Sequence, residues 1–186
     1  GPSTRWYKNG NKKIEKTYEK HELKGSFTLW YKNGQKKAQT TIKKTKFIGL
    51  MTNWYKSGQK RHQGNVKFWN IMGEDKDKKI KHGLWTYWYK NGQKESEITY
   101  NNGKEDGPFV GWYMNGNKEV KGNKKDSKFE GLITSWYKNG KKESETNYKS
   151  DEYDGLVTYW NEDGIKMYER NYKESKLNGL SKNWYE

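Results

Sequence analysis

The sequence predicts an all-β protein: an elongated, twisted or curved antiparallel sheet of tandem β-hairpins, arranged as a single-layer, solenoid-like array. Three observations predict this fold. A Trp-centred stretch, typified by Trp88–Lys94, recurs eight times, the copies are almost evenly spaced, and glycines recur at fixed places in each copy. A fixed period of this size indicates repeats that each pack against their neighbours.

Eight anchor tryptophans mark the copies, 24 residues apart except for one interval of 34. The anchors are Trp6, Trp30, Trp54, Trp88, Trp112, Trp136, Trp160 and Trp184. Positions within a repeat are counted from its anchor, which is position 0. We assign residues 4–186 to one array. The first residues, Gly1-Pro2-Ser3, resemble a protease-cleavage remnant of recombinant expression and are excluded from the fold argument.

Two glycines divide each repeat into two strands. The glycine at position +4 follows Asn, Ser or Asp, and pairs such as Asn91-Gly92 favour a two-residue type I′ hairpin turn. The glycine at −5 is expected to begin a new strand. We predict strands at positions −4 to +2, as in 84–90, and +5 to +12, as in 93–100. Gly122 and Lys124 predict a weak second strand after Trp112.

The predicted turn determines which residues share a face of the sheet. A two-residue turn would place Tyr at +1 opposite Lys at +6. Both would then lie on the more buried face, with the apolar residues at −3 and +12. The other face would carry the anchor Trp, Thr at −2, Leu at −4 and charged residues at +7 and +9. This second face is predicted to be partly hydrated.

Composition indicates an ordered, basic chain. Lys and Arg number 38 against 23 Asp and Glu, a formal charge of +15, while 30% of residues are hydrophobic and 16% aromatic. Disordered segments are poor in aromatics, so we predict order. The charge favours acidic proteins, nucleic acid or anionic membranes, and equally fits a solvated Lys-rich surface. No apolar run could span a bilayer. We expect a soluble protein of the bacterial cytoplasm, although removal of a native signal peptide stays open.

A ten-residue insertion between Val66 and Lys81 accounts for the one long interval. It contains large apolar residues followed by a charged tip at 73–79. The sequence predicts a lengthened hairpin that projects beyond the sheet. Exposed aromatic residues there would form an interaction hot spot. Alternatively, the extension folds back and covers the sheet, since exposed apolar ribbons aggregate.

The sequence offers few groups for catalysis. Cysteine is absent, and the three histidines, His21, His62 and His82, occupy different positions in their repeats. His62 and His82 flank the insertion and could approach each other, but exposed loop histidines are the default interpretation. The carboxylates lack the spacing of a calcium-binding loop, and no glycine motif leads from a strand into a helix. We therefore predict no enzyme, no metal and no cofactor.

The run Gly83–Lys94, Gly-Leu-Trp-Thr-Tyr-Trp-Tyr-Lys-Asn-Gly-Gln-Lys, resembles the MORN-repeat variant family (membrane occupation and recognition nexus). It is similar in particular to bacterial proteins described as YwqK-type antitoxins, and the resemblance covers essentially the whole chain after Ser3. The resemblance implies a curved sheet of stacked hairpins that serves as a scaffold or binding surface. It also implies a toxin partner neutralised by direct contact, or membrane lipid, and no shared catalytic residues.

These observations predict a non-catalytic, monomeric repeat scaffold that binds a protein partner, either a toxin or another acidic protein. Its candidate binding residues are Trp54, Trp69, Trp88, Trp112, Trp136, Phe68, Ile71 and Met72. The alternative is a basic surface that binds single-stranded nucleic acid, an anionic membrane or a glycan. In that alternative the binding residues are Lys36, Lys60, Lys94, Lys118 and Lys142.

Overall fold

The structure, a computed structural model, describes residues 2–19, 22–42, 48–68 and 79–184. Its elements are the strands β1 (Pro2–Trp6), β2 (Lys12–Glu19), β3 (Glu22–Trp30), β4 (Lys36–Ile42), β5 (Ile48–Trp54), β6 (Lys60–Phe68), β7 (Lys79–Trp88), β8 (Lys94–Asn101), β9 (Lys104–Trp112), β10 (Lys118–Lys125), β11 (Lys128–Trp136), β12 (Lys142–Lys149), β13 (Glu152–Trp160), β14 (Lys166–Lys173) and β15 (Lys176–Asn183). The sheet order follows the chain order from β1 to β15. The predicted all-β array of tandem antiparallel hairpins is confirmed.

The chain divides into two compact units. Unit 1 comprises residues 1–93 and 100–103, and unit 2 comprises residues 94–99 and 104–186. Among the residues that the structure describes, the buried apolar side chains are Val66, Trp85 and Tyr100 in unit 1, and Ile133 and Val157 in unit 2. All of them occupy position −3 or +12, so the face predicted to be the more buried one does hold the apolar core.

The turn after each anchor is longer than predicted. In the second repeat, the Gly34 N–H donates to the Tyr31 carbonyl at 3.0 Å, and the Tyr31 N–H donates to the Gln35 carbonyl at 2.8 Å. Gly34 has a φ of 86°, whereas Asn33 is not among the residues with positive φ. A turn of this kind, closed by a left-handed glycine, is the three-residue hairpin loop with a glycine bulge. The two-residue type I′ prediction is therefore wrong at this site.

Two-residue turns do occur, at the opposite ends of the strands. Asp126-Ser127, Ser150-Asp151 and Glu174-Ser175 have positive φ at both residues, as a type I′ turn requires. The strands were predicted to begin only at the glycine at −5, so these turns were not predicted. Each strand consequently begins before the glycine at −5: β13 begins at Glu152, and Gly155 lies inside it with a φ of 115°.

The longer turn also changes the pairing beside it. Trp30 pairs with Lys36 and Leu29 pairs with Ala38, which leaves Lys37 as a bulge residue. The anchor Trp, rather than Tyr at +1, therefore lies opposite Lys at +6. The predicted Tyr–Lys pair is wrong, and so is the placement of this lysine on the more buried face. Because a bulge inserts one residue, it moves the lysine to the face of the anchor Trp.

Glycine at position +10 provides space for a large neighbour. A Cβ on Gly64 would lie 2.4 Å from the ring of Trp85, and one on Gly122 would lie 2.2 Å from Cδ1 of Ile133. Both glycines are buried within strands, β6 and β10, at points where the register with the following strand shifts. The predicted weak strand after Trp112 is thus wrong, because Gly122 makes room for a core side chain.

Candidate functional site

Side chains alternate between two faces, which differ in chemistry. We call one the tryptophan face; it carries the anchor Trp, Thr at −2, Leu at −4, Lys at +6 and the residue at +9. The other, the aromatic face, carries the residues at −7, −3, −1, +8, +10 and +12. The assignment follows from the alternation of strand side chains and from the observed register and bulges.

On the tryptophan face of unit 1, each Lys at +6 lies over the Trp of the next repeat. The Nζ-to-centroid distances are 5.5 Å for Lys12 over Trp30, 5.7 Å for Lys36 over Trp54 and 5.5 Å for Lys60 over Trp88. The same ammonium groups donate to the side chain at +9: Lys12 to Glu15 at 2.6 Å, Lys36 to Gln39 at 3.2 Å and Lys60 to Gln63 at 3.3 Å. These lysines therefore bind to side chains of the same sheet, one ring and one acceptor each.

Unit 2 repeats this arrangement. Its Nζ-to-centroid distances are 5.6 Å for Lys94 over Trp112, 5.7 Å for Lys118 over Trp136, 5.2 Å for Lys142 over Trp160 and 5.1 Å for Lys166 over Trp184. Lys94 and Lys142 form ion pairs with Glu97 and Glu145 at 2.5 and 2.6 Å. Lys118 is the exception, since Lys121 stands where the other repeats have an acceptor.

The candidate tryptophans take part in these contacts within the sheet. Trp54, Trp88, Trp112 and Trp136 are half-buried, and each contacts a lysine of the preceding repeat through its ring. A cation over an aromatic ring contributes roughly 0.5–1 kcal/mol at an exposed site. These tryptophans therefore help to stabilise the sheet by linking neighbouring repeats.

Tyr at +1 and Asn at +3 link one turn to the next. In five repeats the Tyr hydroxyl donates to the backbone carbonyl of the next anchor. These bonds run from Tyr7 to Trp30, Tyr31 to Trp54 and Tyr55 to Trp88 at 2.9 Å, and from Tyr113 to Trp136 and Tyr137 to Trp160 at 2.8 Å. The Asn33 amide donates to the Lys56 carbonyl at 2.9 Å, and Asn139 likewise to Glu162 at 2.8 Å. The recurring Trp-Tyr-Lys-Asn-Gly stretch thus holds each repeat to the next through these hydrogen bonds.

Leucine at −4 forms the most exposed apolar row of the tryptophan face. The exposed fractions are 45% for Leu50 and 54% for Leu84 in unit 1, and 48%, 39% and 38% for Leu132, Leu156 and Leu180 in unit 2. The neighbouring Thr row is covered: Thr28, Thr52 and Thr158 are 3%, 7% and 5% exposed. These leucines were predicted to lie on this face but were not among the predicted binding residues. Their recurrence was the available signal.

The aromatic face of unit 2 carries a cross-strand ladder of rings. Neighbouring centroids are 5.2–5.7 Å apart along Phe109, Phe129, Tyr148, Tyr153 and Tyr172. Burial raises the pKa of Tyr148 to about 12, and a nearby Tyr153 adds to the shift. Such pairs stabilise a sheet, which accounts for order in a chain of low apolar content.

The histidines near the insertion lie in strands rather than in exposed loops. His62 lies in β6 and His82 in β7, and both are half-buried. The Nε2 atom of His62 lies 2.8 Å from the Asn53 side-chain amide nitrogen. Within the described part of the chain, no three potential metal-ligating side chains come together. His21 falls outside the described residues.

The structure describes only part of the insertion. Phe68 ends β6, and the binding candidates Trp69, Ile71 and Met72 lie outside the described residues. Their predicted role stays a prediction. Across residues 2–19, 22–42, 48–68 and 79–184 there is also no helix with the length and hydrophobicity to cross a membrane.

The two units differ sharply in charge. Residues 1–93 contain 22 Lys and Arg against 6 Asp and Glu, whereas residues 94–186 contain 16 against 17. Residues 100–103 are uncharged, so these counts also describe the units. The whole positive excess therefore belongs to unit 1.

Tandem antiparallel hairpins linked by identical Tyr and Asn hydrogen bonds define a β-hairpin repeat protein. The family model described as "MORN repeat variant" matches residues 1–20, 81–102, 129–150 and 153–174. In these four segments the chain therefore carries MORN-variant repeats, as the sequence resemblance implied. No curated protein matches the chain.

Proposed function

We propose that this chain is a non-catalytic repeat scaffold that binds a protein partner through the tryptophan face. The observation that carries the proposal is the exposed leucine row beside the half-buried tryptophans. Apolar residues scattered singly on a surface need no explanation, whereas a row of exposed leucines on one face supports the proposal of an interaction surface there.

Unit 2 presents the most regular part of this surface. Leu132, Leu156 and Leu180 belong to three successive repeats, and Thr158 is buried beside them. The Lys142–Glu145 ion pair and the half-buried Trp136 lie toward the turn end of the same face. Apolar residues flanked by charged ones fit the usual anatomy of an interface, with an apolar centre and a polar rim.

Replacing the three leucines of unit 2 tests this proposal. We expect Leu132→Ser, Leu156→Ser and Leu180→Ser together to weaken binding of the partner at least a hundredfold, since each buried leucine contributes about 1 kcal/mol or more. The partner is captured from the native host with the unchanged chain and then purified. Its affinity for each variant is measured by calorimetry.

The matched control carries the same number of changes outside the tryptophan face, at the exposed turn residues Ser127→Asn, Ser150→Asn and Ser175→Asn. Asn tolerates the positive φ of these positions. Its side-chain oxygen can also accept the backbone N–H bonds that Ser127 and Ser175 accept. Both variants are first compared by circular dichroism, because only folded chains report on binding. Equal affinity of the leucine variant and the unchanged chain would contradict the proposed surface. A third chain, in which residues 69–78 are replaced by Asn-Gly, tests the predicted contribution of Trp69, Ile71 and Met72.

Antitoxin or immunity-type inhibition is the specific form of this proposal that the sequence resemblance suggests. It requires that the captured partner inhibits growth when expressed alone and is harmless when this chain is co-expressed. The leucine variant described above serves as the control, because it retains the scaffold and lacks the proposed contact surface.

A second candidate function rests on the charge of unit 1. Lys13, Lys37 and Arg61 at position +7 lie 5.6, 5.8 and 5.8 Å from the ring centroids of Tyr7, Tyr31 and Tyr55. Unit 2 has Glu95, Glu119, Glu143 and Met167 at this position. A periodic row of cations favours the backbone of an anionic polymer, and single-stranded nucleic acid is the form we propose.

Charge reversal at position +7 tests this second function with an oligothymidylate probe. For the unchanged chain, we expect the logarithm of the binding constant to fall linearly with the logarithm of the salt concentration. Lys13→Glu, Lys37→Glu and Arg61→Glu together should make that slope shallower by about 2, since each lost phosphate contact removes about 0.7.

The control reverses three lysines of unit 2, Lys128, Lys149 and Lys173, which changes the net charge equally. Fluorescence anisotropy gives both slopes. The same slope for the two triple variants would contradict a site in unit 1.

A further inference from the structure

A pocket of about 220 Å³ lies on the aromatic face of unit 1. It is lined by Met51, His62, Val66, Lys81, Trp85 and Tyr87. Its walls are held in place: Trp85 is only 2% exposed, its indole N–H donates to the Asn65 carbonyl at 2.9 Å, and its ring packs against Gly64. A pre-formed pocket with apolar walls and a few polar groups is the usual form of a small-molecule site.

One lysine interrupts the apolar character of this pocket. The Lys81 ammonium donates to the hydroxyls of Tyr87 at 2.5 Å and Tyr100 at 3.3 Å. It also lies 5.1, 5.2 and 4.6 Å from the ring centroids of Trp85, Tyr87 and Tyr100. None of the residues that the structure describes forms an ion pair with Lys81. A half-buried cation in this setting favours an anion beside it.

Unit 2 contains the equivalent arrangement with its anion already present. Lys124 lies 5.6 and 4.8 Å from the ring centroids of Phe109 and Phe129, and its ammonium forms an ion pair with Glu105 at 2.6 Å. The same fold therefore accommodates a lysine among aromatic rings by supplying a carboxylate. The pocket around Lys81 offers two phenol hydroxyls in its place.

The surroundings of His62 indicate that the field in the pocket is positive. Burial lowers the pKa of His62, and the charges of Arg61 and Lys81 lower it further. No acidic group contributes to this shift. The imidazole is therefore neutral at pH 7, and its ring packs against Trp85 and Tyr87, each with a centroid distance of 5.8 Å.

We propose that this pocket binds a small organic anion: a carboxylate paired with the Lys81 ammonium, carried on an apolar body of about one ring that contacts the half-buried side chains of Met51 and Tyr87. The apolar walls distinguish such a ligand from a bare inorganic anion. The volume of the pocket is below that of most drug-sized sites, which limits the ligand to a compact molecule.

Benzoate is the probe for this site, with neutral benzamide and inorganic phosphate as comparisons. Amide NMR spectra of the full chain follow each titration. We expect benzoate to bind with a Kd of about 1 mM or tighter, and benzamide and phosphate at least about tenfold more weakly. Lys81→Met should weaken benzoate binding at least about tenfold, while Lys81→Arg, which keeps the charge, should stay within about threefold of the unchanged chain.

Lys124→Met is the matched control, because it removes a lysine from a similar aromatic setting in unit 2; benzoate affinity should be unchanged. Equal binding of benzoate and benzamide, equal binding of benzoate and phosphate, an unaltered Lys81→Met variant, or no saturation by benzoate below about 10 mM would each overturn the proposal. The triple leucine variant should bind benzoate normally, so failure of the protein-docking function is distinguishable from failure of this site.

Discussion

Gly64→Ala should destabilise unit 1 by about 3 kcal/mol, near the upper end of what one added methyl group causes in a packed core. The new Cβ would lie 2.4 Å from two atoms of the Trp85 ring. That ring is buried and is fixed by the hydrogen bond from its N–H to the Asn65 carbonyl. It therefore cannot move aside without losing its buried packing and this hydrogen bond. Urea unfolding followed by far-UV circular dichroism measures the change.

Gly111→Ala is the matched control. Gly111, like Gly64, is a buried strand glycine without positive φ, but its added Cβ would lie 3.1 Å from a terminal methyl of Val120. A shift of a few tenths of an ångström relieves that contact, and the loss of glycine's freedom in the unfolded chain compensates by roughly 0.4–1 kcal/mol. Equal effects of the two substitutions would show that Trp85 is not held as described.

Removing the Tyr hydroxyls that link successive turns should give the second large effect. Tyr7→Phe, Tyr31→Phe and Tyr55→Phe together should destabilise unit 1 by about 3 kcal/mol, since each lost hydrogen bond contributes about 1 kcal/mol. Each hydroxyl donates to a different Trp carbonyl, and the three bonds share no partner, so near-additivity is expected. The urea midpoint should fall with little change in the m-value.

Two other tyrosines supply the control for this experiment. Tyr168 and Tyr172 contribute ring contacts in unit 2, and the described residues give neither hydroxyl a hydrogen-bond partner. Tyr168→Phe and Tyr172→Phe together should therefore leave the urea midpoint almost unchanged. A comparable loss in both variants would mean that the Tyr rings, rather than the Tyr–carbonyl bonds, provide the stability.

The sequence predicted the architecture because its periodicity reports directly on backbone pattern. A constant interval between tryptophans and recurrent glycines leaves few alternatives to stacked hairpins, and residues −3 and +12 were correctly placed in the core. The detailed register was less accessible. Asn-Gly is compatible with both a two-residue turn and a three-residue loop, and the choice between them changes the face on which Lys36 lies.

The candidate surfaces were predictable to a smaller extent, because the most conspicuous residues are engaged within the scaffold. The backbone carbonyl of Trp88, for example, accepts a hydrogen bond from the Tyr55 hydroxyl, and the Lys60 ammonium lies over the Trp88 ring. The exposed leucines were visible as a pattern but looked like ordinary strand residues. The pocket could not be predicted, since it depends on how far Lys81, Trp85 and Tyr100 lie from one another in three dimensions.

The hydroxyl of Tyr55 reaches the Trp88 carbonyl at 2.9 Å across 33 residues, the same distance that Tyr31 keeps to Trp54 across 23. The extra length of chain enters at the end of the strands remote from these bonds, between Phe68 and Lys79. At the turn end of the strands, the hydrogen bond between neighbouring repeats is therefore the same with and without the insertion. At the opposite end, the connection between strands varies in length. A longer connection at that end of the strands therefore leaves the Tyr–carbonyl bond between the turns unchanged.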